Sequence, residues 1–313
     1  MSDDREDQLR TRIAWLYHVE GLTQAQIARR LGQSRVKVLR MLAAAREDGL
    51  VQVRINARLS DCVAAERALE RRFGLADAVV VPTPAAAGQI AQVVGMALGG
   101  WLGDRLESGQ TIGVGWGRTL QASLRAIEQR GWKNQTVVSL LGSLTRAHPA
   151  SPFEFAWRLS NLLGADCYYV SAPVYTSDPA TRDSLMAQRG LKDLFARAAR
   201  ADLAVVSVGA MDARATIPDL GLVEAADLDA LRAAGAVGDL LGHYLDADGR
   251  VVAHPLNRCV MAVTPHDLAR LPHVVIASGG VEKAPIIRAA LQVTRARTLI
   301  TDLRTARRLD EER

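Results

Sequence analysis

Short apolar runs alternate with helix-forming segments along most of this chain, between residues 78 and 301. An uninterrupted apolar run suits a strand that is covered on both faces, so the alternation predicts a mostly parallel, Rossmann-like sheet between two layers of helices, an α/β fold. The predicted strands are 78–81, 111–114, 136–141, 167–170, 203–208, 258–263, 274–277 and 298–301.

The charge distribution separates a small N-terminal part from the remainder. Residues 1–58 contain 11 Lys and Arg against 7 Asp and Glu, whereas the rest contains 28 against 27. A chain of 313 residues is also long for one domain. We therefore expect a basic domain over residues 1–57, with a polyanion as its partner, and a nearly neutral domain over residues 58–313.

The basic part carries the signals of a helix-turn-helix. After a first amphipathic helix, Thr23 and Gln26 form the T-x-x-Q pattern of a capping box, which predicts the start of a second helix. Gly32 ends that helix, and Ser34 caps a third that runs to about Asp48. Two helices joined by a tight turn are typical of a DNA-binding motif.

The third helix has two candidate buried faces. The candidates are Val36 with Leu39 and Ala43, and Val38 with Met41, Leu42 and Ala45. We favour the second face because it has the full i, i+3, i+4, i+7 spacing and leaves Lys37 and Arg40 on the opposite side. A recognition helix needs such free side chains, since they reach base edges and phosphates in the major groove.

Beyond Gly49, alternating apolar and polar residues predict a strand, hence a winged variant in which Arg54 contacts the DNA backbone. The predicted DNA-binding residues are Thr23, Gln33, Ser34, Arg35, Lys37, Arg40 and Arg54.

Four glycine-rich segments lie in the larger part. They are GVGWGRT (113–119), SVGAMD (207–212), GAVGD (235–239) and SGGVEK (278–283). Ligands of parallel sheets bind at the carboxyl ends of strands, so these segments together predict a polar pocket. In the first, glycine backbone N–H groups, the start of a helix, Arg118 and Thr119 could all bind a phosphate. The glycine spacing matches neither a dinucleotide fingerprint nor a P-loop.

The sequence resembles the SorC family of sugar-responsive bacterial regulators over residues 10–309. Residues 21–55 resemble its DNA-binding segment, whereas GVGWGRT, GAVGD, SGGVEKAPIIRAAL and ITDLRTARRL resemble its effector domain. The resemblance implies a sheet related to sugar-phosphate isomerases and glucosamine-phosphate deaminases, used for sensing. Two departures, Ser207-Val208-Gly209 and Ser143-Leu144, stand where more glycine is common and could alter which ligand fits.

The implied phosphate or hydroxyl ligands include Lys283 and the Gly279–Gly280 turn, whereas Asp239, Asp246 and Asn257 are implied for sugar hydroxyls. The full set of candidate effector-binding residues is Gly115, Trp116, Gly117, Arg118, Thr119, Gly209, Asp239, Asp246, Asn257, Gly279, Gly280 and Lys283.

These features predict a cytoplasmic transcriptional regulator of a carbohydrate-catabolism operon, a homodimer or homotetramer switched by a sugar, polyol or sugar phosphate. The alternative is a sugar-phosphate isomerase or deaminase, which would not need a basic winged module. We expect no catalytic residues and no cofactor. The three cysteines and the histidines lack metal-ligand spacing, and no apolar run is long enough to span a membrane.

Overall fold

A computed structural model describes residues 2–51, 60–128, 130–146, 148, 151–212 and 215–311. The chain divides into two compact units, Met1–Asn56 and Ala57–Arg313. The first unit contains α1 (Ser2–His18), α2 (Gln24–Leu31) and α3 (Arg35–Glu47).

The helices of the second unit are α4 (Ser60–Phe73), α5 (Ile90–Arg105), α6 (Arg118–Ser123), α7 (Pro152–Leu163), α8 (Pro179–Met186), α9 (Arg189–Ala198), α10 (Thr216–Asp219), α11 (Ala225–Ala233), α12 (Pro255–Arg258), α13 (Pro265–Leu268), α14 (Ala284–Thr294) and α15 (Leu303–Glu311). Its strands are β1 (Asp77–Val81), β2 (Thr111–Val114), β3 (Thr136–Ser139), β4 (Asp166–Tyr168), β5 (Leu203–Val206), β6 (Val208–Ala210), β7 (Gly238–Leu240), β8 (His243–Leu245), β9 (Val274–Ala277) and β10 (Thr298–Asp302).

The predicted helix caps are present in the first unit. The Thr23 hydroxyl accepts from the Gln26 backbone N–H, while the Gln26 side chain accepts from the Thr23 N–H at 2.8 Å. Gly32 ends α2 in the left-handed conformation, with φ at 63°. Ser34 Oγ then accepts from the Lys37 N–H at 3.1 Å, which starts α3. These bonds satisfy amide groups that a helix end leaves unpaired, and the tight turn between α2 and α3 is confirmed.

A small apolar core holds the three helices together. Ile13 of α1 and Ile27 of α2 are buried against the face of α3 formed by Val38, Met41 and Leu42. The competing face is open to solvent, since Val36 is 76% exposed and Leu39 is 54% exposed. The preferred choice of buried face is therefore confirmed. The predicted wing strand and Arg54 lie outside the described residues.

The second unit is built on a parallel sheet, as predicted. Among the described residues this sheet has seven strands in the order β1-β10-β9-β5-β2-β3-β4. Alternate side chains of β9 enter two different apolar cores: Val274 and Ile276 face α4, α14 and α15, whereas Val275 and Ala277 face α5 and α7. The apolar runs are uninterrupted because both faces of the sheet are covered.

Close backbone packing fixes α6 beside α5. A Cβ atom at Gly95 would lie 2.3 Å from the Thr119 carbonyl oxygen, and one at Gly99 would lie 2.3 Å from the Ser123 carbonyl oxygen. Only glycine allows this approach. The contact sets the position of α6 and of residues 115–117, which join β2 to α6.

Three predictions about strands were wrong. Residues 203–208 are not one strand, because β5 ends at Val206 and Val208 begins β6 in a separate antiparallel sheet. Residues 258–263 form no strand: Pro255 begins the short helix α12, and Val260 and Ala262 make only isolated bridges to two different segments. Conversely, the GAVGD segment was expected to be a loop, but its end starts β7, the middle strand of the antiparallel sheet β6-β7-β8. Within the described part of the chain, no helix combines the length and apolar character needed to cross a membrane.

Candidate functional site

A cavity of about 290 Å³ opens at the carboxyl end of the parallel sheet. All four glycine-rich segments contribute to it: those following β2, β5 and β9, and GAVGD through Asp239. The segment Ala87–Ala91, before and within α5, completes the wall. Its lining residues are Ala87, Gly88, Ile90, Ala91, Trp116, Gly117, Arg118, Thr119, Ser207, Val208, Gly209, Ala210, Asp212, Ala215, Thr216, Ile217, Asp239, Gly279, Glu282 and Lys283.

Asp239 contributes a buried carboxylate to this cavity. It lies on β7 opposite Gly209 of β6, and a Cβ atom at Gly209 would lie only 2.0 Å from Asp239 Oδ1. Asp239 Oδ2 accepts from the Gly242 N–H at 3.1 Å, and Oδ1 accepts no hydrogen bond from any described residue. Burial raises the pKa of Asp239 to about 6, although the Gly242 bond and the charge of Lys283 oppose the shift.

Lys283 supplies a cation to the same cavity. Burial lowers the pKa of Lys283, and the carboxylates of Glu282, Asp239 and Asp212 partly offset that shift. Arg118 lines the same cavity, and its positive charge also lowers the pKa of Lys283. The site therefore combines two cations with several carboxylates, a mixture suited to a ligand with both a phosphate and hydroxyl groups.

The segment after β2 contains a glycine with a positive φ and leads into a short helix. Gly117 adopts a φ of 113°, which a side chain would strain. Arg118 forms an ion pair with Asp219 at 2.8 Å, and Thr119 is buried. Since α6 spans only Arg118–Ser123, the expected contribution from a helix terminus is small.

A basic surface lies on α3 of the first unit. Arg35 and Arg40 are exposed and Lys37 is half-buried. Arg40 lies on the side of α3 away from the buried Val38 and Met41, whereas Arg35 and Lys37 flank that buried face. Among the described residues none of these three cations has an ion-pair partner. The hydroxyls of Thr23 and Ser34 accept the capping hydrogen bonds of α2 and α3. The Gln33 amide donates to the Leu31 carbonyl at 3.3 Å. The start of α3 thus presents positive charge to the surroundings.

Comparisons with known proteins identify the family. The Sugar-bind family model, which describes a sugar-binding domain, matches residues 57–309. The erythritol catabolism regulatory protein EryD of Brucella abortus is 34% identical over 308 residues, covering 98% of this chain and 97% of the relative. The transcriptional regulator LsrR of Klebsiella pneumoniae is 35% identical over 311 residues, covering 96% and 92%. The chain belongs to the SorC-type family of sugar-binding transcriptional regulators.

The structural comparison agrees with this assignment. The full-length sorbitol operon regulator SorC of Klebsiella pneumoniae superposes with a TM-score of 0.72 and 26% identity, covering 97% of this chain and 99% of that one. The predicted resemblance is therefore confirmed along both units. These relatives favour a transcriptional regulator over the isomerase or deaminase alternative.

The cavity contains most of the predicted effector residues of this regulator. Trp116, Gly117, Arg118, Thr119, Gly209, Asp239, Gly279 and Lys283 all line it. Gly115 lies behind the wall, packed against Val206 and Leu241, and the Gly280 N–H points away to Asp302.

Asp246 and Asn257 lie outside the cavity wall. Asp246 Oδ1 accepts from the N–H groups of Asp248 and Arg250, which fixes a turn. The Asn257 amide bonds to the backbone of Tyr244 and Val252. The side chains of Asp246 and Asn257 therefore form hydrogen bonds with nearby backbone groups and do not reach the cavity.

Other lining residues were missing from the predicted set. Asp212 and Glu282 stand inside two of the quoted glycine-rich segments, so their position gave a usable signal. Ala87 and Gly88 carry no polar side chain, and nothing in the sequence pointed to them. No cluster of His, Cys, Asp and Glu in the described part of the chain could hold a metal ion.

The raised pKa of Asp239 predicts a pH-dependent stability difference for Asp239→Asn. The native carboxyl (pKa about 6) holds its proton more tightly than the unfolded one (3.8), so its ionisation destabilises the fold as the pH rises. The gain in unfolding free energy on substitution should grow from about pH 4 to pH 6 and then stay constant, at no more than roughly 3 kcal/mol.

Urea denaturation at pH 5 and pH 7.5 measures this effect. We expect the advantage of Asp239→Asn at pH 7.5 to exceed that at pH 5 by roughly 1 kcal/mol. Asp193→Asn, at an exposed position on α9, should show no such difference. An equal gain at both pH values would contradict the proposed burial cost.

Proposed function

We propose that this regulator binds operator DNA through α3 and controls a carbohydrate- or polyol-catabolism operon in response to a phosphorylated sugar or polyol. The observation that carries the proposal is the cavity, in which Lys283 and Arg118 lie with the unsatisfied carboxylate oxygen of Asp239. The cations suit a phosphate, and the carboxylate suits ligand hydroxyls. A volume of about 290 Å³ suits a small metabolite.

The names of the relatives support this class of ligand. EryD is a regulator of erythritol catabolism, and SorC regulates a sorbitol operon. Both names refer to the use of a polyol, a molecule that offers several hydroxyl donors to a carboxylate such as Asp239. An unphosphorylated sugar or polyol is the alternative effector.

The switch would act by differential affinity. Two copies of the chain, or four, present paired α3 helices to a two-fold operator in the cytoplasm, since symmetric half-sites match symmetric protein. The effector shifts the population between DNA-competent and incompetent arrangements by as much as its affinity differs between them. An isomerase activity, the rival function, would appear as interconversion of sugar phosphates without any retention of DNA.

Removal of positive charge from α3 should weaken operator binding. For Lys37→Ala and Arg40→Ala we expect lower affinity for the DNA upstream of the regulator's own operon, and a salt dependence reduced by roughly one counterion per lost phosphate contact. Fluorescence anisotropy at several salt concentrations measures both quantities. Arg189→Ala, at a fully solvated position of the second unit, serves as the control. Unchanged DNA affinity in both variants would contradict the assignment of α3.

Removal of the cation at Lys283 should weaken effector binding and leave DNA binding unchanged. Lys283→Ala should weaken the effector by roughly ten- to a hundredfold, the worth of a charged hydrogen bond, while DNA affinity without effector stays intact. Isothermal titration calorimetry with a panel of sugars, polyols and their phosphates identifies the effector and measures the loss of effector affinity. Gel shifts measure the DNA affinity. Lys192→Ala on α9 provides an exposed control. Equal loss of DNA and effector binding would refute this division of labour.

A further inference from the structure

An exposed aromatic cluster lies beside the edge of the parallel sheet. Phe153 and Trp157 of α7 stack at 6.3 Å between ring centroids, and Tyr169 meets the Phe153 ring edge-on at 4.7 Å. Trp157 is 48% exposed and Tyr169 is 45% exposed. We call these three residues the α7 aromatic face. A contiguous exposed aromatic surface of this kind is typical of a protein interface.

An edge strand of the parallel sheet lies beside this face. β4 is the last strand in the order of the parallel sheet and has β3 as its one neighbour among the described strands. Its Tyr168 side chain is exposed, with the Arg197 guanidinium 4.2 Å above the ring. Exposed sheet edges are usually covered or blocked, so a partner at this position would protect β4.

The charges on α7 indicate what that partner is. Glu154, which is half-buried, and Arg158, which is exposed, are four residues apart on α7, and neither forms an ion pair with any described residue. If a second α7 crosses antiparallel about a two-fold axis, each Glu154 meets the Arg158 of the other copy, and the two Trp157 rings lie near the axis. The surface is therefore complementary in charge to itself, as an isologous interface requires.

We infer that the α7 aromatic face, with Glu154 and Arg158, is the contact through which a second copy of this chain docks. This inference rests on the proposed function, because a two-fold operator needs two α3 helices. It adds the location of the contact and its antiparallel geometry.

Charge reversal tests the geometry. Glu154→Arg and Arg158→Glu should each weaken self-association by roughly tenfold or more, because each places two like-charged pairs across the axis. The double variant, which restores both pairs in reverse, should return to within roughly threefold of the original affinity. Sedimentation velocity over a range of concentrations measures association, and Trp157→Ala should also reduce it. Trp15→Ala, an exposed tryptophan of the first unit, is the matched control.

The outcomes separate this inference from the proposed function. Single reversals that associate normally, or a double variant that stays dissociated, would overturn the α7 contact even if operator and effector binding are intact. A chain that is monomeric at all concentrations would also overturn it. Loss of operator affinity in the single variants, with effector affinity kept, would support both.

An independent observation concerns Asp302, which lies behind the cavity. Its carboxylate is fully buried and has no cation partner among the described residues. It is satisfied by donors from three segments: Gly280 N–H donates to Oδ1 at 3.0 Å, Thr83 Oγ1 donates to Oδ2 at 2.6 Å, and the Thr305 hydroxyl donates to Oδ1. A buried carboxylate requires such donors, so the three segments are held together at this point.

Two of those segments lead into the cavity wall. The turn that contains Gly280 also contains the lining residue Gly279, whose Cβ position lies 2.7 Å from Asp302 Oδ1. Thr83 precedes the lining residues Ala87 and Gly88. Asp302 itself does not line the cavity. The geometry points to Asp302 as a positioning residue that fixes these two walls relative to each other.

Thr83→Val tests this role, because it keeps the side-chain shape and removes one donor to Asp302, together with the acceptor of the Arg304 N–H at 2.9 Å. Hydrogen–deuterium exchange should become several-fold faster in both residues 84–91 and residues 278–283, and affinity for inorganic phosphate should fall. Thr83→Ser should restore both. Thr294→Val, which removes a hydroxyl bonded within α14, should lower the Tm without changing either wall.

Faster exchange at only one wall, or at neither, would overturn the positioning role. Hydrogen–deuterium exchange is measured without any ligand, so its result is separate from the proposed function. A chain that binds no phosphate would contradict the proposed effector, and the exchange rates would still decide whether Asp302 positions the two walls.

Discussion

The parallel strands of the second unit are covered on both faces, and this constraint determines where its chemistry can lie. Side chains such as Val275 and Ile276 point into opposite apolar layers, so an unpaired polar group on either face costs free energy. Polar residues are therefore displaced to the strand ends, where backbone groups leave the ladder. Three loops with glycine, cationic and carboxylate residues meet at one such end and form the cavity.

Within that cavity, the free-energy cost of burying charged groups is only partly offset by neighbouring charges. The raised pKa of Asp239 and the lowered pKa of Lys283 both record desolvation that neighbouring charges do not fully offset. A ligand that supplies an anion to Lys283 and hydroxyl donors to Asp239 would remove much of this cost. Binding energy of that kind can shift a conformational equilibrium, because it is gained only in the arrangement that holds the ligand.

Sequence patterns predicted the features that depend on local chemistry. The Thr23–Gln26 box, the Gly32 turn and the buried face of α3 follow from capping and helical periodicity, and the two-sided strands follow from their apolar runs. The antiparallel sheet was missed because its β7–β8 turn places Leu241 at φ 51° and Gly242 at φ 81°. Such turns are usually marked by Asn or Gly at the first position, and Leu gives no such signal.

The same distinction explains which site residues could be found. Lys283 and Gly117 sit in loops whose composition is unusual in itself, whereas Asp246 and Asn257 have side chains that also suit turns, and the fold uses them there. Asp302 shows the opposite case. Thr305 is a near neighbour of Asp302 in the chain, but the donor Thr83 lies 219 residues away. No local pattern can indicate that a carboxylate at the end of β10 holds two walls of a cavity, because the requirement exists only once β1, β9 and β10 are adjacent.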